Sequence, residues 1–333
     1  MFLGVKCWRK KDLTPNRLRE VGKSIGLPVS IVEREVIFYD TLEAICSFSP
    51  TPVVLKGGTL ISRVYSECPR FSWDIDLSAD IRSKGDYSLA ILNRRIRRAG
   101  RTQLIKIGRK TIELGKFERD VGKDVFVDML SLKRDMLTLS IGASFPTYLR
   151  KKGMEVERLK GEILSLRETF GSLPFVDSVR ATISLAEIPI ETRRERIKSI
   201  LRDVLRPAKT VRARVYPPEL CLVEKFSRMS KSVEDVGLRD LLCDFYDIGQ
   251  LLRQPIDGKK LRESFAVLYR RREIAGVKML STKIEKNLSV VRRNLDLFEK
   301  RREFAWCRYR WGEYFSWVEG EVKGILKDLE RSV

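Results

Sequence analysis

Asp74 and Asp76 stand one residue apart in the run RFSWDIDLSAD, alternating with Ile75 and Leu77. In a strand, that alternation points both carboxylates to one face and both apolar side chains to the other. Like charges so close repel, and burying them unpaired is costly, so a positive partner is expected beside them. A divalent cation is the leading candidate. Oxygen donors on one strand face suit Mg2+, with Mn2+ as an alternative, because such an ion keeps several waters and shares substrate phosphates. Two such ions would activate an attacking hydroxyl and stabilise a leaving pyrophosphate. Asp128, in the apolar run VFVDML, is either a buried, hydrogen-bonded acid or a third metal ligand.

Two further motifs carry chemistry. In VVLKGGT, Lys56, Gly57, Gly58 and Thr59 follow a short apolar strand and precede a helix pattern. A glycine pair there lets backbone N–H groups approach a phosphate, although most glycine pairs are ordinary tight turns. In PPELCLVEKFSRM, Leu222, Phe226 and Met229 share one helix face; in LRDLLCDFYDIGQLL, Leu241, Phe245, Ile248 and Leu252 form a stripe. Lys225, Asp244 and Asp247 lie off those stripes or at their margins. They are either a surface ion pair supporting helix packing, or a lysine for nucleotide phosphate with an aspartate to orient it or serve as base.

Composition narrows the chemistry. The 333 residues contain no histidine, which removes Ser-His-Asp and Cys-His nucleophiles, histidine bases and histidine metal ligands. Catalysis must rest on carboxylates, lysine, arginine and oxygen-bound metal. The six cysteines form no CxxC pair, so core residues or free thiols are expected. Lys and Arg number 66 against 45 Asp and Glu, a net charge of +21 that favours a polyanionic partner, most simply nucleic acid. Three Gln and four Asn among abundant Lys, Arg and Glu point to a thermophilic source. Without a membrane-length apolar stretch or a secretory signal, a soluble cytoplasmic protein with no membrane partner is expected.

The elements that position these residues can be read in outline. Thr14 and Pro15 start a helix in DLTPNRLREVGKSIG, and a second follows through Ile31, Val32, Val36, Leu42 and Ile45. After the DID strand come a helix in DYSLAILNRRIRRAG and strands in TQLIKIG, KTIELGKFER and KDVFVDMLSL. This order suggests an α/β or α+β core around a mixed sheet. The run ISLAEIPIETRRERIKSILRDVLRP reads as containing a charged helix ended by Pro207, and the chain from Pro217 onward reads as helical. The expected domains are 1–215, with a candidate insertion at 140–215, and a helical 216–333.

Taken in order, VVLKGGT, RFSWDIDLS, EKFSRM and CDFYDI resemble the AbiEii/MenT family of nucleotidyltransferase toxins, within the DNA polymerase β-like nucleotidyltransferase superfamily. The resemblance spans residues 53 to 252 and implies an α+β polymerase β-like core with a helical C-terminal domain. By motif it places Lys56, Gly57, Gly58 and Thr59 at the phosphate-binding turn, with Arg70 and Ser72 leading into the metal pair Asp74 and Asp76. Lys225 matches the family's lysine, with Asp244 its partner acid and Asp247 the second acid of that motif. Cys243 stands where the family often has arginine, which leaves Asp244 and Asp247 as alternatives for the catalytic acid. Asp128 corresponds to the superfamily's third carboxylate by strand order alone.

The expected activity is Mg2+-dependent transfer of a nucleoside monophosphate from an NTP to an acceptor. RNA is the expected acceptor, with tRNA 3′ ends in first place, and the protein would be the toxin of a pair with a cognate antitoxin. The alternatives are nucleotidylation of a protein or small molecule, and a non-catalytic nucleic-acid-binding protein. The C-terminal run RRNLDLFEKRREFAWCRYRWGEYFSW is expected to supply most acceptor affinity through Arg301, Arg302, Arg308 and Arg310. Its aromatics, with Trp306 and Tyr309 or Trp311 and Phe315 at core-like spacing, read as helix core ahead of base-stacking residues. The run with Arg193, Arg194 and Arg196 is the substitute surface.

Overall fold

The computed structural model describes residues 7–8, 15–46, 53–72, 74–80, 129–132, 138–146, 176–186, 191–207, 210–270, 273–304 and 307–332. The helix expected at 86–100 and the first two strands expected after it lie outside these residues, as does Asp128. The chain divides into two compact units. The first takes in residues 1–55, 73–188 and 194–214; the second takes in 56–72, 189–193 and 215–333. The fold is α+β.

In the first unit, helices α1 (Pro15–Ile25) and α2 (Val29–Cys46) accompany a sheet of seven strands. These are β2 (Val53–Lys56), β3 (Asp74–Asp80), β4 (Met129–Leu132), β5 (Thr138–Pro146), β6 (Val176–Ala186), β7 (Arg193–Ile197) and β9 (Val211–Val215), with a few end residues assigned to the second unit. Strand β1 (Cys7–Trp8) pairs separately with β8 (Arg206–Pro207). The sheet order is β4-β5-β6-β3-β2-β9-β7. β3 runs parallel to β6, whereas β4–β5 and β5–β6 are antiparallel, so the sheet is mixed.

Among the described residues of that run, the charged helix expected before Pro207 is absent. β6 runs to Ala186, and β7 and β8 occupy Arg193–Ile197 and Arg206–Pro207. Pro189 breaks a helical pattern, and RRERI, with Ile197 buried and Arg194 and Arg196 exposed, has the two-residue period of a strand. Residues 140–215 supply β6, β7, β9 and most of β5 to the sheet, and β6 lies between β5 and β3.

Two polar side chains on α2, one turn apart, tie it to the sheet. Buried Glu35 accepts from Ser199 Oγ at 3.2 Å and Ile200 N at 3.0 Å. Tyr39 Oη donates to Ile197 O at 3.0 Å and accepts from Val211 N at 3.2 Å. Three of these four bonds satisfy buried backbone groups at the end of β7, just beyond it or at the start of β9, and the fourth satisfies the buried Ser199 hydroxyl; left unpaired, such groups are costly.

The second unit is helical. A short helix α3 (Gly57–Leu60) runs into a π-helical turn, Ile61–Tyr65. Then come α4 (Pro218–Met229), α5 (Val233–Val236), α6 (Leu238–Leu252), α7 (Gly258–Arg270), α8 (Val277–Arg292), α9 (Leu297–Lys300) and α10 (Trp311–Ser332). Pro218 opens α4, where a missing N–H costs no helix bond. The core is aromatic: Phe298 stacks on Trp311 at 4.4 Å between centroids, and Phe245 on Phe315 at 5.3 Å. Trp311, Tyr314 and Phe315 are therefore core rather than base-stacking residues, and Trp306 lies outside the described residues. Among the described residues, no helix is long and apolar enough to cross a membrane.

Candidate functional site

Asp74 and Asp76 open β3, and the alternation has a visible consequence. Ile75 and Leu77 are fully buried, while Asp74 is exposed and Asp76 half-buried. The carboxylates therefore share the solvent-reached face. Two hard oxygen donors so placed fit a divalent ion that completes its shell with water and substrate phosphate. Among the described residues, no cluster of three or more acidic or cysteine side chains is poised to hold a metal by itself.

The remaining described motif residues belong to the second unit, where Arg70, Lys225, Asp244 and Asp247 form one ion-pair network. Lys56 ends β2, and Gly57 adopts φ +72°, a left-handed conformation that glycine takes without penalty. Gly58 is needed for a different reason. A Cβ there would lie 2.4 Å from Arg70 Nη2 and 3.1 Å from Ser72 Oγ. The second glycine thus makes room for the Arg70 guanidinium. Thr59 Oγ1 donates to Ser72 Oγ at 3.2 Å, both residues being buried.

Arg70 grips Asp247 with two parallel bonds, Nε to Oδ1 and Nη2 to Oδ2, each 2.7 Å. Lys225 Nζ, from α4, meets Asp244 Oδ1 at 2.5 Å and Asp247 Oδ2 at 2.8 Å, both on α6. Arg228 Nε reaches Asp244 Oδ2 at 2.9 Å. A surface pair is excluded, because Lys225 is 6% exposed and the two aspartates 1% each. Two cations and two anions are buried together and their formal charges cancel, which is how such burial becomes tolerable.

The titration behaviour follows from that geometry. Burial alone would raise the Asp247 pKa, but Arg70 and Lys225 outweigh it and hold the carboxyl below its ordinary value of 3.8. Burial alone would lower the Lys225 pKa, yet Asp244 and Asp247 keep it above 10.5. Lys225 is a fixed ammonium and Asp247 a fixed carboxylate, so neither suits proton transfer near neutrality.

Lys56 lies 3.7 Å from Glu224 and 5.8 Å from the Tyr216 ring centroid, partly open to solvent. Within the second unit, the fold thus brings Gly58, Thr59, Arg70, Ser72, Lys225, Asp244 and Asp247 together, while Lys56 turns to Glu224 and Tyr216. Sequence reasoning missed Arg228 and Glu224. Arg228 stands one helical turn beyond Lys225, a spacing that could have revealed it. Cys243, where the family often has arginine, is buried, and burial raises its thiol pKa.

Residues 40–308 match the family described as nucleotidyl transferase AbiEii toxin, type IV toxin–antitoxin system. The solved structure of MenT4, a nucleotidyltransferase toxin from Mycobacterium tuberculosis H37Rv, is similar at 13% identity with a TM-score of 0.41; the match covers 94% of this chain and 98% of that one. No curated protein matches. With the family match covering most of its length, this chain belongs to the AbiEii nucleotidyltransferase toxins of type IV toxin–antitoxin systems, and is a nucleotidyltransferase.

Proposed function

We propose that this enzyme moves a nucleoside monophosphate from an NTP to a hydroxyl of RNA, with tRNA 3′ ends the first acceptor to test, and releases pyrophosphate. The observation that carries the nucleotide half is the buried network around Lys225. An ammonium has three donors, and Asp244 and Asp247 take two in fixed directions, leaving the third for a phosphate oxygen. Arg70 locks Asp247 and fills the space over Gly58, so the GGT turn and the lysine are held by one ion pair. Preorganised charge of this kind stabilises the triphosphate as its bond to the leaving group breaks.

Asp74 and Asp76 are the residues we assign to Mg2+ or Mn2+, with Asp128 the third carboxylate by strand order alone. A divalent ion held by these carboxylates would supply positive charge for the reacting and departing phosphate oxygens. The net charge of +21 supports a polyanionic acceptor, and membership in a toxin–antitoxin family supports a cognate antitoxin.

The test supplies purified protein, Mg2+, total RNA and each α-labelled NTP. Label should enter RNA with wild type and fall at least 100-fold with Asp74→Asn or Asp76→Asn, at unchanged or slightly higher thermal stability, because one like charge has been removed. Near wild-type transfer by either variant would sink the metal assignment. Label entering protein instead would move the acceptor.

A further inference from the structure

Two neighbouring strands of the first unit present a row of arginines. On β9, Val211, Ala213 and Val215 are buried, while Arg212 is exposed and Arg214 half-buried between them. On β7, Ile197 is buried, while Arg194 and Arg196 are exposed. The alternation therefore puts Arg212 and Arg214 opposite the buried side of β9, and Arg194 and Arg196 opposite the buried side of β7. Tyr39 of α2 bonds the end of β7 and the start of β9. The outward positions of the two strands carry four arginines and no acid, since Glu195 has the other parity.

Charge on an edge strand has an ordinary purpose, which is to discourage pairing with another sheet. That accounts for β7, which ends the sheet, but not for β9, which lies between β2 and β7. An interior strand has no free edge to protect. Among the described residues, Arg194, Arg196 and Arg212 form no ion pair. Such a ladder has side chains about 5 Å apart across strands and about 7 Å apart along them, a spacing suited to successive backbone phosphates.

The C-terminal run is a weaker candidate for this role. Arg310 pairs with Glu313 at 3.2 Å and Arg301 lies 3.6 Å from Glu303, while the neighbouring aromatic rings of Trp311, Tyr314 and Phe315 are core. We infer that the β7–β9 arginine ladder is the surface that binds the phosphate backbone of the RNA acceptor. The inference rests on the RNA acceptor proposed above.

The test compares full-length wild type, the triple variant Arg194→Gln, Arg196→Gln, Arg212→Gln, and a control triple variant, Lys278→Gln, Lys327→Gln, Arg331→Gln. The control removes the same charge from exposed helix positions. Binding of a fluorescein-labelled single-stranded RNA is followed across salt concentrations without NTP, so that the readout does not depend on transfer. Equal melting temperatures establish that all three are folded. Loss of three phosphate contacts should flatten the log K against log salt slope by about 2 in the ladder variant, at about 0.7 per contact, and leave the control near wild type. An unchanged slope, or an equal fall in the control, overturns the ladder. Failure of the RNA-acceptor reading shows separately, as absence of labelled RNA in the transfer assay while the ladder variant still loses slope.

Discussion

Arg70 shows how far a single side chain reaches in this molecule. Its guanidinium is bidentate to Asp247 and covers Gly58 so closely that no Cβ fits. Gly58→Ala should destabilise the protein by about 1–3 kcal/mol, because the blocking atom belongs to an arginine that its ion pair does not release. Chemical denaturation would read this as a lower midpoint at unchanged slope, and an unchanged midpoint would mean that Arg70 moves freely. Asp247→Asn removes one carboxylate facing two buried cations. It should cost about 3–5 kcal/mol, since Arg70 and Lys225 would remain buried with half their compensation. A loss below about 1 kcal/mol, measured by urea unfolding, would show that water already screens the network.

At the scale of elements, α4 and α6 matter because they bring Lys225 and the two aspartates together. Their registry depends on how closely α6 can approach α10. A Cβ on Gly249 would lie 2.1 Å from Tyr314 Oη and 2.7 Å from Val318 Cγ2, so that glycine is a contact surface for α10. Tyr314 Oη also donates to Tyr246 O at 2.9 Å and accepts from Gln250 Nε2 at 3.2 Å, fixing the ring where alanine would have to go. Gly249→Ala would gain about 1 kcal/mol of intrinsic helix preference. Overpacking should exceed that gain, so the expected result is a net loss of melting temperature. A rise would show that the helices separate easily. The sheet repeats the lesson with β7: the density of charge around RRERI suggests a helix before Pro207, yet the alternation of RRERI and its pairing beside β9 make it a strand.

At the scale of the whole molecule, pH and charge can be worked through with their signs. Asp247 has its pKa depressed in the fold, so its stabilisation is complete above the ordinary value of 3.8 and disappears as pH falls through the lower folded value. Lys225 has its pKa raised, so its contribution is complete below 10.5 and disappears only as pH rises through the higher folded value. Between those limits the network adds no slope. The stability difference between wild type and Asp247→Asn should stay level across neutral pH and shrink below 3.8. A difference that already shrinks near neutrality would mean that Asp247 is not held as a carboxylate. With a net charge of +21, self-repulsion opposes compactness throughout, and a polyanion bound only to the folded form would relieve it.

The sequence by itself determined the chemistry open to this protein. A chain without histidine must use carboxylates, basic side chains and metal, and alternation alone put Asp74 and Asp76 on one strand face with Ile75 and Leu77 on the other. The helix start at Pro15 was legible, and that expected from Pro217 lay one residue before the actual start at Pro218, because proline and amphipathic period act locally. Only the tertiary structure decided that Lys225, Asp244 and Asp247 are buried. Burial of charge depends on partners arriving from elsewhere: Arg70 stands 177 residues from Asp247. It alone showed that the second glycine accommodates Arg70, and it turned the core-like spacing of Trp311 and Phe315 into actual burial. An aromatic residue beside arginines has the same local pattern whether it stacks on a base or on another ring. What separates the two is the company brought by distant segments, which no local period records.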